Sequence, residues 1–344
     1  MLVPVVAVFA AILLSLSIYA RSFKEAQAYL IPIILLSMGP GLLAMTPGLT
    51  LSGAWSVTPM VNILLLARDV IQNQVEIVPA VIAIVSTLLY ASAAIMIAAR
   101  SFGSDAILYQ SHGSFGEMFS RPVKATRFVP ESAAILCVTL LFPLNFVMIG
   151  FLGRLPSETP EDMSVRFMLM GAMTIFSFFV FPLLVAIHQK TSLRIGFGLK
   201  NCRPVFYLVA LLLGASLWPL VMAMLEGWHE LYGYIAGAEQ RDGWHTKLVE
   251  ETAAQVARVR KVSPIVIAAC LSVIPAACEE WFFRGMLLRA LLQTKKILTA
   301  ILVSAVVFGL FHVLSGSVVA LDRLIPTTLV GIALGYLAFK SDSI

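Results

Sequence analysis

Nine apolar runs leave this chain few folds to choose from. They lie near residues 2–20, 30–46, 78–99, 132–153, 167–187, 204–225, 264–278, 297–314 and 324–339. A bilayer core needs about 20 apolar residues to be crossed as a helix. Lipid offers no hydrogen bonds to the backbone, so each crossing run must be a helix that satisfies itself. The expectation is an all-α, polytopic membrane protein with about nine transmembrane helices. The seventh run is short and is expected to continue through the charged motif that follows it. Composition agrees: 59% of residues are hydrophobic and 12% charged, with a mean hydropathy of +0.92. In a soluble chain a net charge of +5 would suggest nucleic acid, but here no nucleic-acid partner is expected, and the lipid bilayer is the first partner. The first residues lack a basic stretch and a cleavage site, and are read as a retained helix.

The basic residues suggest an orientation. If the first run passes from outside to inside, 15 of the 24 Lys and Arg residues fall on the cytoplasmic side, where such residues are enriched. That puts Glu279 and Glu280 towards the cytoplasmic end of their helix, in a multi-pass protein of the cell (inner) membrane. One miscounted helix would invert everything beyond the error.

Charge in the middle of an apolar run carries the functional content. Residues 277–285 read Ala-Cys-Glu-Glu-Trp-Phe-Phe-Arg-Gly. Ionisable groups at membrane depth are costly, and are functional candidates for that reason. Glu280 and Arg284 are four apart and can pair on a helix, which by itself fits a structural ion pair. Glu279 points about 100° away and has only Phe282 and Phe283 at the pairing positions. It is the better candidate for chemistry. His312, at the end of Phe308-Gly309-Leu310-Phe311-His312 on the next apolar run, is the candidate partner; alone it would read as a hydrogen-bonded core histidine. His112, His188, His229 and His245 fall in connectors or at helix ends. The four cysteines show no C-x-x-C spacing, which speaks against a disulfide framework and a thiolate zinc site. There is no H-E-x-x-H and no G-x-S-x-G, which disfavours a helical zinc-protease site and serine chemistry; Ser315 and Ser317 lie in an expected loop after His312. Gly331 and Gly335 form a small-xxx-small pattern suited to close helix packing.

Glu-Glu-x-x-x-Arg followed on the next helix by Phe-x-x-x-His resembles the first two motifs of the CAAX prenyl protease 2 type of intramembrane endopeptidase, the CPBP family. The resemblance covers roughly residues 130–340. It implies a CPBP-type helical bundle in residues 131–344, and water activation by the first glutamate and the histidine, here Glu279 and His312, with Glu280, Arg284 and Phe308 in support. The family's third motif, His-x-x-x-Asn on a further helix, is implied to stabilise the oxyanion. No histidine follows His312, so the resemblance leads to the expectation that the chain is cut short near Ile344.

The first third has another character. Residues 22–29 and 59–69 resemble the membrane portion of ABC transporter permeases of the sodium-efflux type, over roughly residues 1–110. That resemblance implies a fusion of an incomplete permease-like region with a CPBP domain, and a separate ABC ATPase subunit as partner. No G-x-x-x-x-G-K-[ST] occurs in this chain, so nucleotide hydrolysis would come from elsewhere. Between the halves, residues 111–130 belong to a polar connector (residues 101–130) with interleaved aromatics, read as interfacial. A second polar stretch, residues 226–261, holds Trp228 and Trp244, and residues 247–262 fit an amphipathic helix lying along the membrane. Residues 47–74 are too polar at their ends for a span, and residues 59–62 suggest an irregular piece.

The leading expectation is a membrane-embedded peptidase that hydrolyses a membrane peptide or protein with water activated by Glu279 and His312. The alternative is a membrane subunit of an ABC-type sodium or drug exporter whose CPBP domain is non-catalytic; a silent scaffold is a third class. No cofactor and no structural metal are expected, and a catalytic zinc is left open.

Overall fold

The computed structural model describes residues 2–20, 22–102, 125–156, 159–236, 253, 256–257, 259–315 and 323–344. Most of the connector and of the expected surface helix at residues 247–262 lies outside the described residues, as do His112, His245 and Ser317 and the side chains of Trp228, His229, Trp244 and Ser315. Every apolar run lies in a helix. Seven helices are long and apolar enough to cross a membrane, and two shorter apolar ones, Val3–Ser15 and Ile297–His312, complete the set among the described residues. The chain is an all-α multi-pass membrane protein. It divides into two compact units, Met1–Lys124 with Ser132–Val147, and Ala125–Glu131 with Met148–Ile344.

The first unit contains α1 (Leu2–Tyr19), α2 (Phe23–Ala44), α3 (Val61–Ile71), α4 (Ile77–Phe102) and most of α5 (Glu131–Gly153). Ser22 starts α2 by accepting a hydrogen bond from the Glu25 amide at 3.2 Å, one of the orphan donors of a first helical turn. The irregular piece expected at residues 59–62 ends at Met60, whose φ of 66° is left-handed. A regular amphipathic α3 then buries Val61, Ile63, Leu65 and Leu66 against Ala44, Leu51, Ala80 and Ala83. Asn62 sits in this core, fully buried. Its amide donates to Ser86 Oγ and Thr87 Oγ1, both at 3.0 Å, and accepts from the Ile63 amide at 2.8 Å. The two hydroxyls pass their own protons to the carbonyls of Ile82 (2.8 Å) and Ala83 (2.7 Å). A closed network of this kind fixes the pairing of α3 and α4 where water is absent.

The second unit contains α6 (Pro160–His188), α7 (Pro204–Ala236), α8 (Pro264–Leu291), α9 (Ile297–His312) and α10 (Leu324–Ser341). Thr159 and Asp162 form a capping box at the start of α6, with Pro160 in the first turn, where its missing N–H costs nothing. The polar stretch expected from residue 226 begins as a continuation of α7 as far as Ala236.

Two helices change winding in the middle. α6 is π-wound over Phe176–Val180 and α8 over Ala269–Val273. Pro182 follows the first and Pro275 the second. A proline inside an α-helix removes one hydrogen bond and collides with the carbonyl four residues back. Here those carbonyls belong to Phe178 and Leu271, inside the two wide turns, which make room for the ring. A third π segment, Glu280–Leu288, has no proline after it, and it carries the motif.

Glycines bring α9 and α10 together. A Cβ on Gly331 would lie 3.0 Å from the Ala305 backbone, and one on Gly309 would run into Thr328 Oγ1 and the Leu324 carbonyl. Between these helices the small-xxx-small pattern serves packing. Two polar knots tie the loops of this unit. Gln293 donates to the Val129 carbonyl at 2.8 Å, and Lys295 pairs with Glu131 at 3.2 Å. Asp342 takes Lys200 on one oxygen and Arg289 on the other, the latter at 3.0 Å. Gly198 has a φ of +68°, which favours glycine, and a Cβ there would have to push the Arg289 guanidinium aside.

Candidate functional site

The motif belongs to the second unit, on the third π segment and on the end of α9. The core beneath it is aromatic. Phe178 of α6, Phe282 and Phe283 of α8, and Phe308 and Phe311 of α9 are linked by ring contacts with centroids 4.9–5.6 Å apart, several of them edge to face, as aromatic quadrupoles prefer. Ser304 adds a hydrogen bond from its hydroxyl to the Phe283 carbonyl at 3.2 Å. α8 and α9 are therefore locked together over the stretch that bears the two motifs.

Arg284 is the junction. It is 2% exposed. Its Nη1 lies 3.0 Å from Glu280 Oε1, the pair expected from the spacing. Its guanidinium carbon stands 4.4 Å from the centre of the Phe308 ring, a cation–π contact worth most where water is excluded. The Phe308 ring is in turn 4.5 Å from the His312 imidazole, and His312 Nδ1 is 2.9 Å from the Phe308 carbonyl. A carbonyl oxygen can only accept, so Nδ1 carries the proton. In the neutral ring Nε2 then holds the lone pair.

Contact thus runs unbroken from Glu280 through Arg284 and Phe308 to His312. Glu279 stands beside this relay. It makes no hydrogen bond or ion pair among the described residues, and the charges it feels are those of Arg284 and Glu280. No hydrogen bond or ion pair joins Glu279 to His312 among the described residues. Arg284 is within electrostatic reach of both, and Arg323, at the start of α10, is within reach of His312.

Several features of the site have no counterpart in the motif spacing. Trp281 stacks on Phe197 with centroids 4.2 Å apart and touches Phe179 at 4.9 Å. The indole N–H of Trp281, the hydroxyl of Ser177 and the terminal nitrogens of Arg284 are buried without an aligned hydrogen bond among the described residues. Phe308 could be read from the sequence as a motif position, but its role as the ring that joins Arg284 to His312 could not, because it depends on how α9 is rotated against α8. All four cysteines are free. Among the described residues no group of three or more His, Cys, Asp and Glu side chains is gathered as metal ligands.

No curated protein and no solved structure matches the chain. A family match covers residues 261–344, the stretch that holds Glu279, Glu280, Arg284, Phe308 and His312. Over those residues the chain is similar to the Rce1-like family, the type II CAAX prenyl endopeptidases of the Rce1-like kind.

Proposed function

We propose that the chain is a membrane-embedded endopeptidase that cleaves near the end of a lipid-bound peptide or protein of the CAAX kind, from the cytoplasmic side of the cell membrane. The observation that carries this is the relay from Glu280 through Arg284 and Phe308 to His312, which holds the two motif helices in one register around Glu279. The similarity of residues 261–344 to CAAX prenyl endopeptidases supplies the substrate class.

In this mechanism Glu279 takes a proton from a water molecule whose oxygen adds to the scissile carbonyl carbon. His312, its Nδ1–H committed to the Phe308 carbonyl, offers Nε2 to hold that water in line. The carbonyl electrons move onto oxygen and form an oxyanion. When it collapses, the C–N bond breaks and the leaving amine takes the proton from Glu279. One C–O bond forms, one C–N bond breaks, and nothing is oxidised or reduced. If a catalytic zinc were bound, Glu279 and His312 would be the residues to hold it, and it would supply Lewis-acid polarisation of water.

The domain division belongs to the same proposal: a permease-like region over residues 1–110, a connector over 111–130 and the endopeptidase over 131–344. The alternative function, a membrane subunit of an ABC-type exporter, rests on the first of these and would be favoured by co-purification with an ATPase subunit.

The test is cleavage of a farnesylated peptide ending in Cys-a-a-X by the full chain in lipid vesicles. Glu279→Gln keeps the shape and removes the base, and should lower turnover by about 10²–10⁴ at unchanged membrane insertion. Turnover equal to the parent's would remove Glu279 from the reaction.

A further inference from the structure

Arg284 is more than a partner for Glu280. Its Nη1 faces Glu280 within ion-pair distance, and the Phe308 ring lies against the cation. Neither contact gives the buried guanidinium an aligned hydrogen bond, and Nη2 has neither a hydrogen bond nor an ion pair among the described residues. A guanidinium carries five N–H donors, and leaving buried donors unmade is costly. Such a group is kept where something else completes it. The neighbours say what that is: Arg284 senses the charges of Glu279 and Glu280 and is within electrostatic reach of His312.

We infer that the unpaired side of Arg284 receives an anionic oxygen of the substrate, which makes Arg284 a binding residue of the reaction centre. This rests on the endopeptidase reading. As Glu279 takes up a proton, one negative charge passes from its carboxylate through the water to the carbonyl oxygen of the substrate. A fixed cation beside Glu279 keeps an anion as its neighbour throughout, so it needs no rearrangement as the reaction proceeds. The π winding of Glu280–Leu288 presents the side chain from a stiff core and not from a loop, which fits a donor that must be in place beforehand. A Cys-a-a-X peptide carries a second anionic oxygen group, its terminal carboxylate, and the same donors suit it bidentately.

The two sources separate in a binding experiment on the full chain in detergent, followed by calorimetry. The probes are four uncleavable farnesylated peptides, in which the scissile amide is replaced by an anionic phosphinate or by a neutral methylene, each with a free or an amidated C-terminus. If the oxyanion is the ligand, the parent binds phosphinate at least about 10²-fold more tightly than methylene, whatever the terminus. If the terminal carboxylate is the ligand, the gap lies between acid and amide. In either case Glu279→Gln keeps the gap, Arg284→Lys keeps part of it, and Glu280→Gln/Arg284→Gln, which removes both charges and strands neither, loses it. Binding of the methylene amide at parental strength shows that this double variant is folded. The inference is overturned if the parent shows neither gap, or if the double variant or Arg284→Lys keeps the whole of it. Failure of all four peptides to bind overturns the substrate class proposed above, and the inference with it.

Discussion

Arg284 is gripped from two sides, so its neighbours should not be equivalent under mutation. Glu280→Gln leaves a charge that is 2% exposed without its ion-pair partner. Breaking a fully buried pair costs about 3–5 kcal/mol, and the cost here should be smaller, since Glu280 is 34% exposed and the charge of Glu279 still acts on Arg284. Glu280→Gln/Arg284→Gln removes the problem along with the pair and should be milder. Thermal unfolding of detergent-solubilised variants orders them, and a double variant less stable than Glu280→Gln would contradict the pairing. Phe308→Leu should cost stability as well, because the ring serves both Arg284 and His312. In the sequence the ion pair was legible from the i, i+4 spacing alone. The unsatisfied guanidinium nitrogens of Arg284, the Ser177 hydroxyl and the Trp281 indole N–H were not. Whether a donor finds a partner depends on angles set by neighbouring helices, and spacing carries no information about them.

At the scale of elements, hydropathy located the nine apolar helices found among the described residues, because a run that must satisfy its own backbone in lipid has no other form to take. It could not show how they are wound. Pro182 and Pro275 mark two of the π segments in hindsight, but prolines also kink helices or end them, and the third segment has no such marker. The close approach of α9 and α10 was better announced, by Gly331 and Gly335. Gly331→Leu must displace the Ala305 backbone 3.0 Å away and should destabilise by roughly 1–3 kcal/mol. Gly335, whose Cβ would meet Ile301 Cγ2 at 3.4 Å, should tolerate alanine. Parallel melts of Gly331→Leu and Gly335→Ala test the ranking. Equal melting temperatures would mean that the helices can separate without loss.

For the molecule as a whole, the loop knots set the response to acid. Asp342 is held below the usual carboxylate range chiefly by the hydrogen bond from Lys200; burial opposes this, and the hydrogen bond and charge of Arg289 add to the lowering. A carboxylate whose folded value is depressed contributes stability above its unfolded value, about 3.9 for aspartate. That contribution is lost as pH falls through the lower folded value. The difference in melting temperature between the parent and Asp342→Asn should therefore be constant from neutrality down to about pH 5 and shrink below about 4. It should be small, since Asp342 is 60% exposed and surface pairs contribute little. A difference that grew on acidification would mean that Asp342 is not held as an anion. None of these long-range pairs was legible in the sequence, where Lys200, Arg289 and Asp342 are far apart and each could have been a solvated charge. The π winding of Glu280–Leu288 has a consequence of a different sort. It packs more residues into each turn than an α-helix does. Rewinding that stretch to α at constant length would make the same residues sweep more turn and rotate everything before it against everything after. Such a chain would keep its hydropathy profile, both motifs and its insertion into the membrane, and lose the phase that sets Glu280 and Arg284 against Phe308 and His312. Insertion without cleavage is the expected phenotype, invisible to any comparison that scores composition alone.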